Sequence, residues 1–206
     1  MMRQGMRLVL ASRSRARLEL MRSAGYRVTV CAADIEESRT GVSLPFADRL
    51  RRLAERKAAA VAARFPDAWT IGADTALELD GAWIGKAPDA AAAQDLLTTL
   101  SGRRHRVGSA VCVISPQSGP YGRRRVTQSA VDVAWVTMRR WSESRIRAHI
   151  RHTRPFTCAG AYALQGGVGS PAMISRVEGD PSTVIGLPIP LLDRLLETAW
   201  EKPVVD

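Results

Sequence analysis

The pattern of apolar and polar positions in the first third of the chain predicts strands and helices in alternation. Residues 8–11 form a short apolar run of the kind that makes a buried strand. A helical pattern follows and ends at Gly25, and residues 26–34 then alternate apolar and polar positions as a strand does. A longer helical pattern runs from residue 45 to about residue 64. This order is typical of an α/β fold.

The next segment predicts a hairpin with an acid at one end and a lysine at the other. Residues 70–73 form an apolar strand that ends on Asp74. The dipeptide Asp80-Gly81 is a strong signal for a tight hairpin turn, and Lys86 follows the second strand of that hairpin. Carboxylates at the ends of strands in α/β sheets commonly face a ligand, so Asp74 is a candidate functional residue.

The remaining segments predict helices and long strands that follow one another. A helix is predicted over 90–100, and two strands over 105–114 and 126–138 are joined across a loop rich in proline and glycine. A helix capped by a serine covers about 142–152, and another closes the chain over 191–200. Because strands alternate with helices early and follow one another later, we expect a mixed sheet.

Length and composition indicate a globular protein with a sizeable core. The 206 residues suit one domain over 1–206, with or without two lobes, and 46% hydrophobic with 24% charged residues is ordinary for such a protein. No apolar run approaches the length of a membrane span, and no charged-then-apolar leader opens the chain. We therefore expect a cytoplasmic protein with no membrane partner.

The strong positive charge does not by itself indicate a nucleic-acid partner. The formal charge is +10, but lysine occurs only at Lys57, Lys86 and Lys202, so the excess is almost all arginine. Aromatic residues make up 5% of the chain, so the interleaved basic and stacking residues of single-strand binders are missing. We therefore expect no nucleic-acid partner, and binding of nucleic acid through an arginine-rich surface is the alternative.

The turn after the first strand is a candidate anion site. Ser12 and Ser14 offer hydroxyl groups, and Arg17 lies in the first turn of the helix that follows. A strand–loop–helix junction presents backbone N–H groups to whatever docks there. The alternative is that the serine only caps the helix and that the side chain of Arg17 is solvated.

Four carboxylates and two lysines are further candidates. Asp34, Glu36 and Glu37 form an acidic loop, and Asp74 needs a partner or a metal if it is buried. Mg²⁺ prefers oxygen ligands and usually lies between one or two carboxylates and substrate phosphates. The lysines at 57 and 86 stand out because a compact ammonium can reach a phosphate where a planar guanidinium does not fit.

Histidine and cysteine carry no recognisable metal pattern. Cys31, Cys112 and Cys158 lie far apart and are expected in the core. His149 and His152 are expected on the surface of a helix. His105 follows an arginine pair and is expected in the turn where the strand predicted over 105–114 begins, a place from which it could touch phosphate. The chain has neither a nucleophile elbow nor a Walker loop, which argues against serine-hydrolase and P-loop chemistry.

Seven segments, taken in order, extend from about residue 7 to residue 197: "LVLASRSRARLELM", "DIEES", "RLAERKAAAVA", "IGADTALELDGAWIGKAPD", "LLTTLSGRRHRV", "AGAYALQG" and "RVEGDPSTVIGLP". This ordered set resembles the Maf family of nucleoside triphosphate pyrophosphatases. The resemblance implies a two-lobed α/β fold around a strongly curved mixed sheet, with the active site in the cleft between the lobes. It also implies hydrolysis of a nucleotide to the monophosphate and pyrophosphate with Mg²⁺ or another divalent cation such as Mn²⁺, and a homodimer.

The resemblance assigns roles residue by residue. Asp74 matches the general base for the attacking water, and Glu37 matches the carboxylate that shares the metal with it. Ser12 and Arg17 match phosphate-loop positions, and the two site lysines of the family match Lys57 and Lys86. The hairpin would then place a base and a phosphate-binding cation on one cleft.

Two further positions bear on substrate choice. Thr75, after the base, and Gln165, in the segment "AGAYALQG", resemble the subgroup that acts on dTTP and UTP. A glutamine amide can both donate to and accept from the edge of a uracil-type base. Specificity of the 7-methyl-GTP type remains an alternative.

The loop after the first strand departs from the family pattern. The family usually has S-x-S-P-R-R, whereas this chain has Ala16 in place of the first arginine of the pair, and Arg13 and Arg15 add charge nearby. One of these two could replace the missing guanidinium. A nucleotide-binding protein with weakened catalysis is therefore a second hypothesis.

Overall fold

The computed structural model describes residues 6–37, 41–117, 125–164 and 173–201. The elements of the first half are β1 (Leu8–Leu10), α1 (Arg15–Ser23), β2 (Val28–Val30), α2 (Phe46–Ala62), β3 (Trp69–Leu79), β4 (Ala82–Ile84) and α3 (Ala90–Leu100). Those of the second half are β5 (Arg104–Ile114), β6 (Thr127–Met138), α4 (Glu143–Thr153), β7 (Ile174–Glu178), α5 (Pro181–Ile185) and α6 (Ile189–Glu201). The α/β class is confirmed.

The described strands form one mixed sheet in the order β2-β1-β3-β5-β6-β7, with β4 paired to β3. Strand β1 is parallel to both of its neighbours, with Val9 opposite Thr29 on β2 and Thr70 on β3. The pairs β3–β4 and β6–β7 are antiparallel. The predicted mixture of parallel and antiparallel pairs is therefore confirmed.

Helix boundaries follow local signals in the sequence. Ser14 caps α1 by accepting a hydrogen bond from the backbone N–H of Arg17, and Asp89 caps α3 through the N–H of Ala92. Ser142 caps α4, as expected. None of the helices in the described ranges is long and apolar enough to cross a bilayer.

Strand β3 differs from its prediction. It was expected to end at Asp74, but it continues to Leu79 before the turn at Asp80 and Gly81, both of which have positive φ. Aspartate is a poor strand former, so the sequence pattern suggested an end. Residues 77–79 continue the strand by pairing with β4, and a distant lysine neutralises the buried carboxylate of Asp74.

Two histidine predictions were wrong. His105 was expected in the turn where β5 begins, but it lies within the strand and is 1% exposed. His149 on α4 is buried rather than on the surface. Both rings are covered by side chains and backbone that come from distant parts of the sequence, which helical spacing alone does not reveal. The cysteine prediction holds for Cys31 and Cys112, which are buried, while Cys158 is partly exposed.

The chain divides into two compact units. The first unit comprises residues 1–74, 109–132 and 186–206, and its core includes Leu10, Met21, Ile71 and Leu192. The second unit comprises residues 75–108 and 133–185, and its core is built on side chains of β3, α3 and α4, among them Leu77, Leu97, Leu100 and Ile146. That residues 1–206 behave as one domain stays a prediction.

Candidate functional site

A close approach between α2 and β3 brings the candidate residues of the first unit together. A Cβ atom placed on Gly72 of β3 would lie 2.2 Å from the carbonyl oxygen of Ala54 and 2.7 Å from the backbone nitrogen of Ala58, both on α2. Only a residue without a side chain fits there. The helix therefore lies directly on the strand, and Lys57 reaches Asp74 two positions along from Gly72.

Lys57 joins the two carboxylates that the sequence singled out. Its Nζ lies 2.5 Å from Oδ1 of Asp74 and 2.9 Å from Oε1 of Glu37. Lys57 and Asp74 are each 7% exposed, whereas the Glu37 side chain is 46% exposed. We call these three residues the Lys57 cluster. The ammonium compensates the burial of Asp74, which explains how β3 carries an acid in its interior.

Two arginines attach the acidic loop, residues 34–37, to the same unit. Arg13 forms an ion pair with Asp34, and Arg56 donates a hydrogen bond of 3.1 Å to the carbonyl oxygen of Glu36. Arg56 precedes Lys57 on α2, so consecutive residues hold the end of the loop. Glu37 is thus held in two ways: Arg56 binds the carbonyl group of the preceding residue, and Lys57 binds the Glu37 carboxylate.

The loop between β1 and α1 is organised by Arg17. Its Nη1 donates to Oγ of Ser12 at 3.1 Å and to the carbonyl oxygen of Ala73 at 2.9 Å, and its Nε donates to the carbonyl oxygen of Gly186 at 2.8 Å. Ala73 directly precedes Asp74. The guanidinium therefore ties the start of α1 to the part of β3 that carries the acid.

Arg17 also contributes charge to this region. Burial lowers the pKa of Arg17, while the negative charges of Asp74 and Glu37 raise it. An arginine side chain starts from so high a pKa that it stays protonated in proteins. Arg17 and Lys57 therefore bring two positive charges to a site that contains two carboxylates.

The added arginines of the β1–α1 loop are engaged elsewhere. Arg13 pairs with Asp34, and Arg15 pairs with Glu19 one turn along α1, where its side chain is 91% exposed. Among the described residues, neither Arg13 nor Arg15 contacts the Lys57 cluster, so neither takes the place of the arginine that the family has where this chain has Ala16. Arg13 instead links this loop to the acidic loop.

The other predicted site residues lie outside the first unit. Thr75 follows Asp74 on β3 and is half-buried, and Lys86 follows β4 with an exposed side chain; both belong to the second unit. Gln165 lies outside the described residues. The structure therefore brings together Ser12, Arg17, Glu37, Lys57 and Asp74, and the parts assigned to Thr75, Lys86 and Gln165 stay predictions.

The chemistry of the Lys57 cluster fits a hard divalent cation that is shared with phosphate. Asp74 and Glu37 both approach one positive group, so their carboxylates converge where a cation can be held. Within the described ranges no group of three or more His, Cys, Asp or Glu residues could hold a metal. Two carboxylates suit Mg²⁺ or Mn²⁺ completed by phosphate oxygens and water, rather than a closed protein cage.

Sequence reasoning missed a buried polar pair in the second unit. His105 Nε2 lies 2.6 Å from the hydroxyl group of Tyr162, and both residues are at most 5% exposed. The available signal was a histidine and a tyrosine within two of the seven family-like segments. Their mutual distance could not be read from the sequence, because 57 positions separate them.

Two solved structures have a similar fold. The Ham1 protein of Staphylococcus aureus superposes with a TM-score of 0.52 at 16% identity, covering 93% of this chain and 98% of that one. A HAM1 protein from Coxiella burnetii gives a TM-score of 0.51 at the same identity and coverage. At this identity the likeness shows the fold alone.

Sequence relatives are much closer. A dTTP/UTP pyrophosphatase of Moorella thermoacetica is 38% identical over 92% of this chain and 93% of its own length. One of Myxococcus xanthus is 39% identical over 93% and 92%, and a nucleoside triphosphate pyrophosphatase of Corynebacterium diphtheriae is 36% identical over 94% of both chains. The family model described as Maf-like protein matches residues 7–199. With that match over nearly its whole length, the chain belongs to the Maf-like protein family.

Proposed function

We propose that this protein hydrolyses nucleoside triphosphates to the monophosphate and pyrophosphate, with a preference for dTTP and UTP. The observation that carries the proposal is the Lys57 cluster, in which a buried ammonium lies between two carboxylates and beside the arginine-organised β1–α1 loop. The names of relatives that are 36–39% identical over more than nine-tenths of the chain support the same reaction.

Asp74 is proposed as the general base. In the reaction, a water oxygen forms a bond to the α-phosphorus, the bond from that phosphorus to the α–β bridging oxygen breaks, and pyrophosphate leaves with the electron pair. The Asp74 carboxylate accepts the proton that the water loses. A base held at one place on a strand by a 2.5 Å ion pair is well oriented for this transfer.

Cationic side chains supply the rest of the catalysis. The attacked triphosphate is a polyanion, so groups that neutralise its charge lower the barrier more than any covalent chemistry. Lys57 lies between both carboxylates. It is proposed to stay paired with them and to bind a phosphate oxygen through its third N–H group, while Ser12 and Arg17 organise the β1–α1 loop beside it. Lys86 is proposed as a further phosphate-binding cation from the second unit.

A divalent cation is proposed as cofactor, with Asp74 and Glu37 as its protein ligands. When bound, Mg²⁺ or Mn²⁺ neutralises phosphate charge and orients the water for attack. The converging oxygens of these two residues are consistent with that role. Thr75 and Gln165 are proposed to contact the base, by resemblance to the dTTP and UTP subgroup.

Pyrophosphate release from dTTP, UTP, CTP, GTP and 7-methyl-GTP, each with and without Mg²⁺, tests the proposal. Metal-dependent release that is fastest with dTTP and UTP is the expected result, and the D74N variant serves as the blank. Fastest release from 7-methyl-GTP would overturn the substrate preference alone. Nucleotide binding without release at any metal concentration would favour the binding-protein alternative, which the altered loop at Ala16 suggests.

Assembly, location and other partners are proposed on the family resemblance only. We propose one domain that acts as a homodimer in the cytoplasm, and sedimentation of the purified protein tests its oligomeric state. Nucleic acid is not proposed as a partner. An affinity for DNA or RNA that falls steeply with salt would contradict this, because counterion release governs such binding.

A further inference from the structure

The backbone around Lys86 is anchored to one distant turn. Lys86 forms an isolated antiparallel bridge with Ala159, and the N–H of Gly160 donates a hydrogen bond of 2.9 Å to the carbonyl oxygen of Gly85. The side chain of Lys86 is exposed, while the next residue, Ala87, is 2% exposed. The position from which the lysine extends is therefore set by residues 159–160.

The turn at residues 159–161 has backbone dihedral angles that residues with a side chain rarely adopt. Gly160 has φ of 69° and Ala161 has φ of 57°, so a residue with a side chain adopts the left-handed region. A Cβ atom on Gly160 would lie 2.5 Å from Cδ2 of Leu77, so no larger residue fits there. Left-handed alanine is strained and persists only when surrounding contacts hold it.

Two buried histidines supply such contacts. The carbonyl oxygen of Ala161 can only accept, so Nε2 of His149 donates to it at 3.3 Å. The next residue, Tyr162, directs its hydroxyl group to Nε2 of His105 at 2.6 Å, and its ring packs edge-on against that imidazole. The two histidines therefore hold the turn at Ala161, the residue with the strained backbone, and at Tyr162, which follows it.

Both members of the Tyr162–His105 pair are uncharged in the ordinary pH range. Burial lowers the pKa of His105 to about 4 and raises the pKa of Tyr162. Their hydrogen bond therefore joins a neutral imidazole to a neutral phenol and does not alter with pH near neutrality. A buried pair that is neutral near pH 7 suits a mechanical role rather than proton transfer.

We propose that Tyr162 and His105 are positioning residues for Lys86: their hydrogen bond fixes the 159–161 turn, and the turn fixes the backbone from which the lysine reaches phosphate. The proposal rests on the function given to Lys86 above. It assigns the pair no contact with the substrate. Lys86 needs such a fixed origin because its long, flexible stem would otherwise sample many positions.

Hydrogen exchange tests the anchoring without reference to activity. Tyr162→Phe removes only the hydroxyl group, and we expect exchange of the Gly160 amide to become about fivefold faster, the effect of losing one hydrogen bond between neutral groups. Tyr26→Phe is the matched control, since Tyr26 is 4% exposed and its hydroxyl group bonds to Asp193 in the first unit. Unchanged Gly160 exchange in Y162F would overturn the proposal.

A double-mutant cycle tests the link to catalysis. We expect Y162F to lower kcat/KM by about fivefold, with the same division between kcat and KM as Lys86→Met. In the K86M background, Y162F should then have no further effect, whereas a general loss of stability would multiply the two losses. Y26F should retain wild-type kinetic constants.

The outcomes separate this proposal from the function on which it rests. Losses from Y162F and K86M that multiply would overturn the positioning while leaving the role of Lys86 intact. A fully active K86M would overturn the role of Lys86 and, with it, this proposal. Y162F with wild-type kinetics beside an impaired K86M would overturn the positioning alone.

Discussion

The Nζ atom of Lys57 on α2 lies 2.5 Å from Oδ1 of Asp74 on β3, and both residues are 7% exposed. The pair satisfies two charges that would be costly to bury separately. Because Glu37 lies 2.9 Å from the same nitrogen, the lysine also holds a second carboxylate in place. This one ammonium therefore determines both the stability of the strand and the arrangement of the acids.

Asp74→Asn should reduce pyrophosphate release by about 100- to 10,000-fold, the range expected for losing a general base. Because Glu37 remains as a partner of Lys57, we expect a loss of no more than about 3 kcal/mol in the free energy of unfolding. Steady-state kinetics and urea unfolding measure the two effects. Asp67→Asn makes the same chemical change at an exposed turn and should alter neither. A fully active D74N would contradict the mechanism.

Lys57→Met should increase the affinity of the nucleotide-free protein for Mn²⁺ while lowering hydrolysis. The ammonium occupies the position next to both carboxylates. Two unit charges of like sign 4 Å apart at a partly buried site repel each other by about 4 kcal/mol, and the double charge of Mn²⁺ raises this repulsion to roughly 8 kcal/mol. Calorimetric titration with Mn²⁺ alone measures this affinity. Lys86→Met removes a lysine of the second unit and should leave it unchanged. Equal Mn²⁺ affinity in K57M and wild type would contradict the proposed metal position.

Gly72→Ala should destabilise the protein by at least about 1–3 kcal/mol, the usual cost of forcing extra volume into a packed interior. The new Cβ would lie 2.2 Å from a backbone oxygen of α2, which cannot move without moving the helix. Displacing α2 also displaces Lys57 from Asp74, so activity should fall with stability. The control is Gly85→Ala, whose Cβ would have Nε1 of Trp83, at 3.6 Å, as its one neighbour within 4 Å among the described residues. Urea unfolding of both variants compares them.

Stability should fall as the pH is lowered from about 6.5 to about 4. Burial lowers the pKa of His105 from 6.5 to about 4, so the unfolded chain binds a proton in this interval that the folded chain does not. Stability from this group is fully present above pH 6.5 and decreases on acidification, by up to about 3 kcal/mol in total.

The comparison of wild type with His105→Gln isolates this effect. Urea unfolding across pH 4 to about 8 should show a shallower acid slope for the variant, with a constant difference between the two proteins above pH 7, where the imidazole is neutral in both states. His149 adds to the slope of both proteins, because burial lowers its pKa as well. Parallel slopes would show that His105 does not titrate as described.

The order of elements was determined by local features of the sequence. The predicted helix over residues 90–100 matches α3, which begins after the capping Asp89, and Ser142 begins α4 as expected. Apolar periodicity and caps depend on residues within one or two turns, so the chain displays them directly. The family resemblance then indicated which acids, serines and cations to examine.

The tertiary structure decided the course of β3 and the environment of His105. Asp74 was predicted to end its strand, but Lys57, 17 positions away, neutralises it and lets the strand continue. His105 was expected in a turn, but Tyr162, 57 positions away, encloses and bonds it. Burial and ion pairing depend on contacts between residues that are far apart in the sequence, and no local sequence pattern encodes those contacts. The glycine at position 72 is visible in the sequence, but its reason, a backbone oxygen of α2 that would lie 2.2 Å from a Cβ atom, appears only in the tertiary structure.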